Sequence, residues 1–600
     1  MRMSLPRVLP FPALTLGSRL RAPERLRAFI RGRELGFFIL ALASGVLAGL
    51  AVAGISGATQ WLHQHLFDLA PGQKLSAYSG APTWIMLVAP ALGAVLLGLF
   101  NRAIKPWASR TPSDPIEANA LHGGRLSARD TLTVVGQNII SNGFGASIGV
   151  EAGYSQAGAG IASWLGKLLQ LRRSDLRTLV GCGAGAAIGA AFNAPLAGAF
   201  YGIELIIGSY SLSSLLPVVA SSYVATAIAG KLLGSLPLIS VGKPGMHLDG
   251  TYPMALLLGL LAGGLGILVM QIVTTIERMA SLSKIPGPVR PVIGGIFIGV
   301  AAVLSPQVLS AGHGAMHLVI GEQSSGLSLS GVLILKILAS AVAIGTGFRG
   351  GLFFASLFMG TLLGKIFALA MVALFPTLHV SLALYAIIGM SAVAVSVIGG
   401  PMTMTFLALE MTGNFQITGL VVTGVMASAM LSRQVFGYSF ATWRFHLRGE
   451  NIRSAHDVGL IRDLTVMKLM RTGVKSVHHD LLLSEFRAEH PPGSAQRFVV
   501  IDNDDRYVGL ILVSEAHAVE LDQHPDTLVG DVMRYRNEFL LPEMNAKQAV
   551  QSFNKFEAEE LAVLDTGASR RVVGVLTEAH TLRRYAEELD RIRRAAQGER

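Results

Sequence analysis

Charged residues and cysteine are scarce in this sequence. Only 14% of the 600 residues are Asp, Glu, Lys or Arg, and the mean hydropathy is +0.52, whereas soluble proteins average roughly 25% charged residues. Cys182 is the single cysteine, so no intramolecular disulfide can form, and its apolar surroundings argue against redox chemistry. This composition excludes an ordinary soluble protein and indicates a polytopic membrane protein.

Long uncharged runs supply the expected membrane-spanning segments. They cover residues 35–67, 205–230, 250–276, 291–321 and 366–409. Each run exceeds the roughly 20 residues that a helix needs to cross the hydrocarbon core of a bilayer. The last run is long enough for two passes. We therefore expect a transmembrane domain over residues 36–448.

The excess of positive charge lies beside the membrane segments rather than in a patch for nucleic acid. The formal net charge is +11, and eight arginines but only two acids precede Leu35. By the positive-inside rule this predicts a cytoplasmic N-terminus. Residues 1–35 are expected to form a cytoplasmic segment in which 18–34 is an amphipathic helix at the membrane interface. The first long apolar run begins only at residue 35, which argues against a cleaved signal peptide.

A single carboxylate stands in an apolar, glycine-rich stretch. Glu151 is the only formal charge between residues 131 and 166, within the sequence GVEAG at 149–153. A charge inside a membrane domain costs on the order of 2.5–3.5 kcal/mol on insertion scales, so such a residue is a functional-site hypothesis by default. The alternative is a Glu in a solvated loop between two helices.

Two similar segments indicate an internal repeat. Residues 194–204 (APLAGAFYGIE) resemble 400–410 (GPMTMTFLALE), and in both a Phe follows the Pro by five residues and a Glu by nine. Broken helices in corresponding positions of two halves point to a transporter binding site. We expect repeats at about 36–235 and 250–448, with a second glycine-rich breaker at 350–355. Chance similarity between apolar segments is the alternative.

The composition changes to that of ordinary soluble protein after about residue 448. Strand, turn, strand and helix are predicted in this order over residues 497–521 and again over 561–589. The EAH triplets that begin at residues 515 and 578 are 63 residues apart. We therefore expect two tandem β-α units, which together form a small cytoplasmic α/β domain over residues 460–590.

Four places in the sequence resemble the CLC family of chloride channels and proton-coupled chloride antiporters. Residues 149–156 (GVEAGYSQ) resemble the family's G-(K/R)-E-G-P-x-x-Q motif, and 350–355 (GGLFFA) resemble G-G-x-F-x-P. Residues 409–414 (LEMTGN) are similar to L-E-M-T-x-N, and Tyr438 falls where the family has its pore-facing tyrosine. The resemblance covers about residues 36–448. The two C-terminal units resemble a pair of CBS domains, which often follows this membrane domain.

The resemblance implies an all-α fold of tilted, broken helices in an inverted repeat. It also implies a homodimer in the inner membrane, with both termini cytoplasmic and a pore in each subunit. Helix N-termini can bind an anion through backbone N–H groups without full charges that would hold it too tightly. The residues expected to bind the anion are Ser113, Gly149, Val150, Gly351, Leu352, Phe353 and Tyr438. Deprotonated Glu151 is expected to compete with chloride for these donors, and protonated Glu151 to swing away.

Some residues depart from the family pattern. Pro112 stands where the family has an anion-binding Ser, a change that the family associates with nitrate preference, and Ser113 is one step away. Leu205 occupies the position of the antiporters' internal proton-carrying Glu. The preceding Glu204 is therefore either a proton relay or a structural cap, whereas Glu410 is expected to be structural.

Other polar residues have alternative interpretations. Arg349 either attracts anions in an aqueous vestibule or is a loop arginine. His313 and His317 are expected to be loop or core histidines rather than metal ligands, because no third ligand is evident. In the two CBS-like units, His517 and His580 stand where nucleotide-binding CBS domains have an Asp. This argues against nucleotide binding and favours a structural or dimerising domain.

These observations predict a chloride transport protein that is not an enzyme and has no cofactor, with chloride as the transported ligand. A gated chloride channel is the first hypothesis, because of Leu205. Chloride/proton antiport, or a preference for nitrate or another anion, is the alternative. A sensor whose membrane part only anchors the CBS pair is disfavoured, because an anchor needs no broken helices.

Overall fold

The computed structural model describes residues 33–78, 83–106, 112–234, 251–321, 325–376, 380–437, 464–493, 497–518 and 526–584, with isolated positions within 23–30 and at 80, 439, 442, 443 and 587. The chain divides into two compact units, Met1–His456 and Asp457–Arg600. The first unit is helical and the second is α/β, which confirms the predicted fold class. Tyr438, most of the predicted helix 18–34 and the predicted domain junction at 448–460 lie outside the described residues.

The membrane unit is a succession of helices of unequal length. Its first half contains α1 Glu34–Phe67, α2 Trp84–Ile104, α3 Pro115–Leu121, α4 Ala128–Gly143, α5 Glu151–Leu168, α6 Arg173–Phe192, α7 Pro195–Tyr201 and α8 Leu212–Leu233. Its second half contains α9 Thr251–Leu282, α10 Arg290–Leu304, α11 His313–Gly321, α12 Gly326–Thr346, α13 Phe353–Leu374, α14 Leu382–Ile398, α15 Pro401–Thr412 and α16 Phe415–Val435. Within the described residues, seven of these helices are long and apolar enough to cross a membrane, namely α1, α2, α8, α9, α12, α13 and α16.

Two of the uncharged runs are each divided into several helices. The run 366–409 holds the end of α13, the 17-residue helix α14 and most of α15. The run 291–321 likewise contains α10, a 3₁₀ turn at Pro306–Val308 and the short helix α11. Charge content alone does not reveal these breaks, which are made by proline and by residues with left-handed backbone conformations.

The same break separates two helices in each half. Helix α6 ends at Asn193, whose φ is 52°, and Pro195 opens α7. Helix α14 ends at Gly399, whose φ is 89°, and Pro401 opens α15. A left-handed residue ends a helix, and a proline at the first helical position begins the next one without losing a hydrogen bond. Both halves thus place a short helix directly after a long one.

Paired glycines let the helices that precede these breaks approach closely. A Cβ atom on Gly158 of α5 would collide with the backbone of Gly183 on α6, and one on Gly360 of α13 would collide with Gly389 on α14. Membrane helices associate through such small residues, because they gain van der Waals contact rather than hydrophobic burial. Corresponding helices of the two halves therefore pack in the same way, through a close contact between two glycines.

The two short helices cap each other. The Glu410 carboxylate at the end of α15 accepts from Leu196 N and Ala197 N at 2.8 and 2.9 Å. Glu204, in the π-helical segment Gly202–Ile207 after α7, accepts from Met402 N and Thr403 N at 3.0 and 2.9 Å. Carboxylates stabilise helix N-termini, because they accept hydrogen bonds from unpaired N–H groups and their negative charge is attracted to the positive end of the helix dipole.

The C-terminal unit contains two small sheets. Strand β1 (Ser476–His478) pairs parallel with β2 (Arg497–Ile501), which pairs antiparallel with β3 (Tyr507–Leu512). Strands β4 (Glu560–Leu564) and β5 (Val572–Thr577) form an antiparallel pair. The helices between them are short: α17 Val466–Leu469, α18 Leu483–Glu489, α19 Val513–Ala516, α20 Val529–Val532 and α21 Ala546–Phe556.

Corresponding segments of the C-terminal unit exchange contacts. Arg471 bridges to Val575 on β5, and Arg534 bridges to Leu510 on β3. Arg497 on β2 forms an ion pair with Glu559 at 2.5 Å, beside the start of β4. Each of the two similar halves is therefore completed by the other, which explains why they occur together.

Candidate functional site

The glycine-rich segments 149–153 and 350–355, called here the first and second breakers, contact each other through their backbones. Gly149 N donates to Gly351 O at 2.9 Å, and Gly351 N donates to Gly149 O at 3.1 Å. Helix α5 begins two residues after Gly149, at Glu151, and α13 begins two residues after Gly351, at Phe353. The paired backbones therefore bring the N-termini of two helices, one from each half of the sequence, to the same place.

Helix α4 holds both breakers through polar side chains. Asn138 Nδ2 donates to Gly149 O at 3.3 Å and to Arg349 O at 3.0 Å. Ser141 Oγ accepts from Arg349 N at 3.2 Å. Because Asn138 and Ser141 lie three residues apart on a helix, they share one face and reach both segments together.

The Glu151 side chain folds onto the N-terminus of the other helix. Its Oε1 atom accepts from Phe354 N, in the first turn of α13, at 3.1 Å. Its Oε2 atom is buried and makes no hydrogen bond within the described part of the chain. The residue is only 4% exposed. A carboxylate here occupies a donor position that also suits a free anion.

Glycine is required beside this carboxylate. A Cβ atom at residue 149 would collide with Oε2 of Glu151, whereas a Cβ atom at residue 351 would lie 3.2 Å from the same oxygen. Gly149 is therefore part of the carboxylate's binding surface. The glycine-rich pattern that drew attention to Glu151 has a steric reason as well as a conformational one.

A cavity of about 170 Å³ lies against Glu151. Its wall includes Gly351, Leu352 and Phe353 of the second breaker, and Leu205 beyond α7. It also includes the charged residues Asp114, Glu117 and Arg349. The cavity volume is several times that of one water, about 30 Å³. It can therefore hold a small anion with part of its hydration shell.

The remaining predicted anion-binding residues have different positions. Ser113 is buried, and its carbonyl accepts from Gln156 Nε2 at 3.2 Å, while Pro112 and Asp114 on either side of it line the cavity. Val150 packs among apolar residues of α1, α5, α6 and α8. Tyr438 is outside the described residues, so its position relative to the cavity stays a prediction.

Asp114 has a structural explanation that the sequence did not supply. Its Oδ1 atom accepts from Glu117 N at 2.8 Å, as the N-cap of α3. An N-cap carboxylate stabilises a helix start by satisfying one of its unpaired N–H groups. An acidic residue beside an anion path is thus accounted for by the short helix that it begins.

Glu204 is not among the residues that line the cavity, and its carboxylate accepts from four donors. Besides the two backbone N–H groups of α15, Thr403 Oγ1 donates to it at 2.7 Å and the Tyr210 hydroxyl donates at 2.8 Å. This geometry is that of a cap. Glu410 makes the corresponding contacts with α7, in the structural role expected for it.

A buried lysine near Glu151 was missed in the sequence. Lys336 on α12 is fully buried, and Nζ donates to Ser147 Oγ at 3.0 Å, to Val308 O at 3.1 Å and to Ser310 O at 2.7 Å. It is the only charged residue between residues 325 and 348. A lone charge in an apolar helix is the same signal that singled out Glu151, and it would have found this residue.

No metal centre is evident in the described part of the chain. No group of three His, Cys, Asp or Glu residues is placed to hold a metal ion there. His313, one of the two histidines considered as ligands, lies against the Phe354 ring. The described polar groups of the site are instead backbone N–H donors, hydroxyls and a few charges, which suit an anion.

Comparison with known proteins places this site in a family. The family model described as "Voltage gated chloride channel" matches residues 92–433. A protein from Ralstonia nicotianae named as a ClcB-like chloride channel is 30% identical over 388 residues, which cover 61% of this chain and 90% of the relative.

Solved structures have the same fold. The structure of a slow cyanobacterial Cl⁻/H⁺ antiporter has a TM-score of 0.61 at 23% identity, and covers 69% of this chain and 97% of its own. A eukaryotic CLC transporter has a TM-score of 0.56 at 16% identity, and covers 91% of this chain and 97% of its own. The resemblance drawn from the four motifs is confirmed. The chain belongs to the voltage-gated chloride channel (CLC) family, and its membrane unit transports chloride.

Proposed function

We propose that the membrane unit is a gated chloride channel whose gate is the Glu151 side chain. One observation carries the proposal: the carboxylate lies on the N-terminus of α13 and accepts the Phe354 N–H. Backbone donors at a helix N-terminus favour negative charge, so an ionised Glu151 competes with chloride for them. A protonated Glu151 loses most of that attraction and can leave the donor to the transported anion.

The residues behind the gate favour a channel over proton antiport. Leu205 lines the cavity, and an aliphatic side chain cannot carry a proton. The adjacent Glu204 is engaged by four donors at the start of α15. Neither of these two positions therefore offers a second ionisable group that exchanges protons with Glu151.

Chloride/proton antiport is the second candidate, and one observation favours it. Glu117 lines the same cavity as Glu151. Acids inside membrane domains commonly serve as proton relays. Glu117 is therefore the described residue best placed to supply the step that Leu205 cannot.

Reversal potentials distinguish the two candidates. The purified protein is reconstituted in a planar bilayer with a chloride gradient, and a pH gradient is then added. A channel reverses at the Nernst potential of chloride whatever the pH gradient, whereas an antiporter shifts when the pH gradient is imposed. A shift that disappears in Glu117→Gln would establish antiport through Glu117 and reject the channel.

Anion replacement tests the preference of the site. Pro112 at the position of the family's anion-binding Ser favours nitrate as an alternative substrate. Replacing chloride with nitrate or fluoride on one side of the bilayer gives the permeability ratios directly. A nitrate permeability well above that of chloride, which falls in Pro112→Ser, would show that Pro112 sets the preference.

We also propose the assembly and location that the resemblance implies. The protein is a homodimer in the inner membrane with both termini in the cytoplasm, and the arginine-rich segment before Leu35 supports this orientation. The C-terminal unit is a CBS pair that binds no nucleotide, supported by its two similar halves and by His517 and His580. The protein has no enzymatic activity and no cofactor. Light scattering in detergent should give about twice the 63.4 kDa chain mass.

A further inference from the structure

Lys336 is a buried cation that the proposed gating mechanism does not yet use. Its ammonium group is fully buried and is surrounded by two backbone carbonyls and one hydroxyl. Among the described residues, no carboxylate forms an ion pair with it. Burying a charge without an ion-pair partner lowers the stability of the folded protein. We therefore consider a functional role for Lys336.

The ammonium group ties the first breaker to the opposite half of the protein. Ser147, which accepts one of its hydrogen bonds, lies two residues before Gly149. Val308 and Ser310, which accept the others, belong to the turn between α10 and α11. Lys336 therefore connects the segment that leads to Glu151 with a turn more than 150 residues away in the sequence.

A second set of hydrogen bonds fixes the same two segments. Ser310 Oγ donates to Asn142 Oδ1 at 3.2 Å, and Asn142 Nδ2 donates to Ile148 O at 2.5 Å. Ser147 Oγ also lies 3.2 Å from Ser340 Oγ, on the helix that carries Lys336. The segment before Glu151 is thus held at residues 147 and 148, and the charge of Lys336 is held close beside it.

The charge of Lys336 acts on Glu151. Glu151 is a buried carboxylate within electrostatic reach of this ammonium group, which acts on it less strongly than burial and the Phe354 N–H bond do. Among the described residues, the other ionisable groups that face the region are His313 and His317 on α11, His63 on α1, Lys74, Tyr154 on α5, Tyr201 at the end of α7, and Asp114, Glu117 and Arg349 on the cavity wall. Solvent that enters the cavity can screen the residues on its wall, whereas Lys336 is completely enclosed, so its field is less screened.

We propose that Lys336 is a positioning residue for the gate: its buried ammonium group holds the segment before Gly149 in place through Ser147 and favours the ionised, closed position of Glu151. The inference rests on the proposed gating function of Glu151. It extends that function by naming the group that sets how readily the gate opens as the pH falls. Removal of the charge makes the carboxylate easier to protonate, so the gate opens at a higher pH.

The test is the pH profile of chloride flux in proteoliposomes. In Lys336→Met we expect the half-maximal pH to rise by a few tenths of a unit to about one unit, the size of effect expected when a single buried charge is removed at an intermediate effective dielectric. Lys336→Gln, which keeps a donor but not the charge, should shift in the same direction. Lys336→Arg, which keeps a positive charge, should retain a half-maximal pH close to that of the wild type.

Lys365 supplies a matched control. It is also buried, at 2% exposed, and Nζ donates to Val319 O at the end of α11. It is not among the charges that act on Glu151. Lys365→Met therefore removes a comparable buried cation from the same unit and should leave the half-maximal pH unchanged.

The outcomes separate this inference from the proposed gate. An unshifted profile in folded Lys336→Met or Lys336→Gln would overturn the role of Lys336, and so would an equal shift in Lys365→Met. If the flux of Glu151→Gln still depends on pH, the proposal that Glu151 is the gate is instead rejected. In the Glu151→Gln background, Lys336→Met should produce no further change in pH dependence.

Discussion

The breakers at 149–151 and 351–353 enter one site from opposite halves of the sequence, through backbones that hydrogen-bond to each other. Each begins a long helix two residues after its paired glycine. The first breaker contributes the Glu151 carboxylate at the first position of its helix, whereas the second contributes Phe353 at that position. The N–H group of the following residue, Phe354, donates to the Glu151 carboxylate. One half therefore supplies the anion mimic and the other supplies the donor.

This division of roles has a physical reason. Two carboxylates at such close quarters would repel each other, and two apolar residues would leave the donors without a side chain to regulate them. Similar backbones with unlike side chains are what the proposed gate requires, because one half then supplies the donor and the other the carboxylate that occupies it. The variants below test how far each half depends on the other.

The largest effect is expected when the charge is removed from the first breaker. In Glu151→Gln the side chain no longer competes as an anion, so flux should lose its pH dependence. Flux at neutral pH should rise by about ten- to a hundredfold, because a hydrogen bond to a charged group contributes about 1.5–3 kcal/mol. Chloride efflux from proteoliposomes between pH 4.5 and 8 measures both. Lys365→Met, which removes a buried charge elsewhere in the membrane unit, is the control and should keep the wild-type profile.

A smaller effect is expected from methyl groups on the two paired glycines. Gly149→Ala places a Cβ atom against the Glu151 carboxylate and should displace it, raising flux at neutral pH several-fold. Gly351→Ala leaves 3.2 Å to the same oxygen and should change flux less. Equal effects in the two variants would show that the glycines serve only the backbone. Efflux at pH 7.5 with matched protein content makes the comparison.

The reciprocal caps allow a comparison at the level of stability. Glu410→Gln weakens two charge-assisted hydrogen bonds and should cost about 2 kcal/mol, whereas Glu204→Gln weakens four and should cost more. Thermal unfolding in detergent, followed by light scattering, ranks the two variants. A Glu204→Gln variant of normal stability with altered proton flux would favour a relay over a cap.

The smallest effect is expected in the C-terminal unit. Asp502 accepts from Asp504 N and Arg506 N in the turn between β2 and β3, and the Arg506 N–H bond lowers the pKa of this carboxyl below its usual 3.8. A lowered pKa means that the carboxylate stabilises the turn above about pH 4, and that this contribution is lost as the pH falls through the lowered value. Asp502→Ala should cost at most about 1 kcal/mol, because the group is exposed.

Hydrogen exchange in the full-length protein measures this effect. The Asp504 and Arg506 amides should exchange faster in Asp502→Ala than in the wild type at pH 7, after correction for intrinsic rates. The difference should shrink at pH 3. Faster exchange across the whole unit, rather than at this turn, would contradict a local role.

The degree to which the sequence predicted the fold depended on how local each signal was. The β2–β3 and β4–β5 hairpins were predicted because alternating apolar residues and a polar turn lie within a few positions of each other. The break at 399–401 was anticipated from the repeated Pro-containing segment, whereas the breaks inside 291–321 were missed, because charge content does not report backbone conformation. Lys336 was missed although its signal, one charge in an apolar helix, was available.

The sequence by itself determined the membrane class and the repeat of similar segments and singled out Glu151 as a candidate, because these depend on composition and spacing along the chain. Only the tertiary structure decided which N–H group the Glu151 carboxylate binds. It also decided that Glu204 caps α15 and that a lysine stands behind the first breaker. Those contacts join residues about 190 to 200 positions apart, and hydrogen bonds over such separations depend on folding rather than on local sequence.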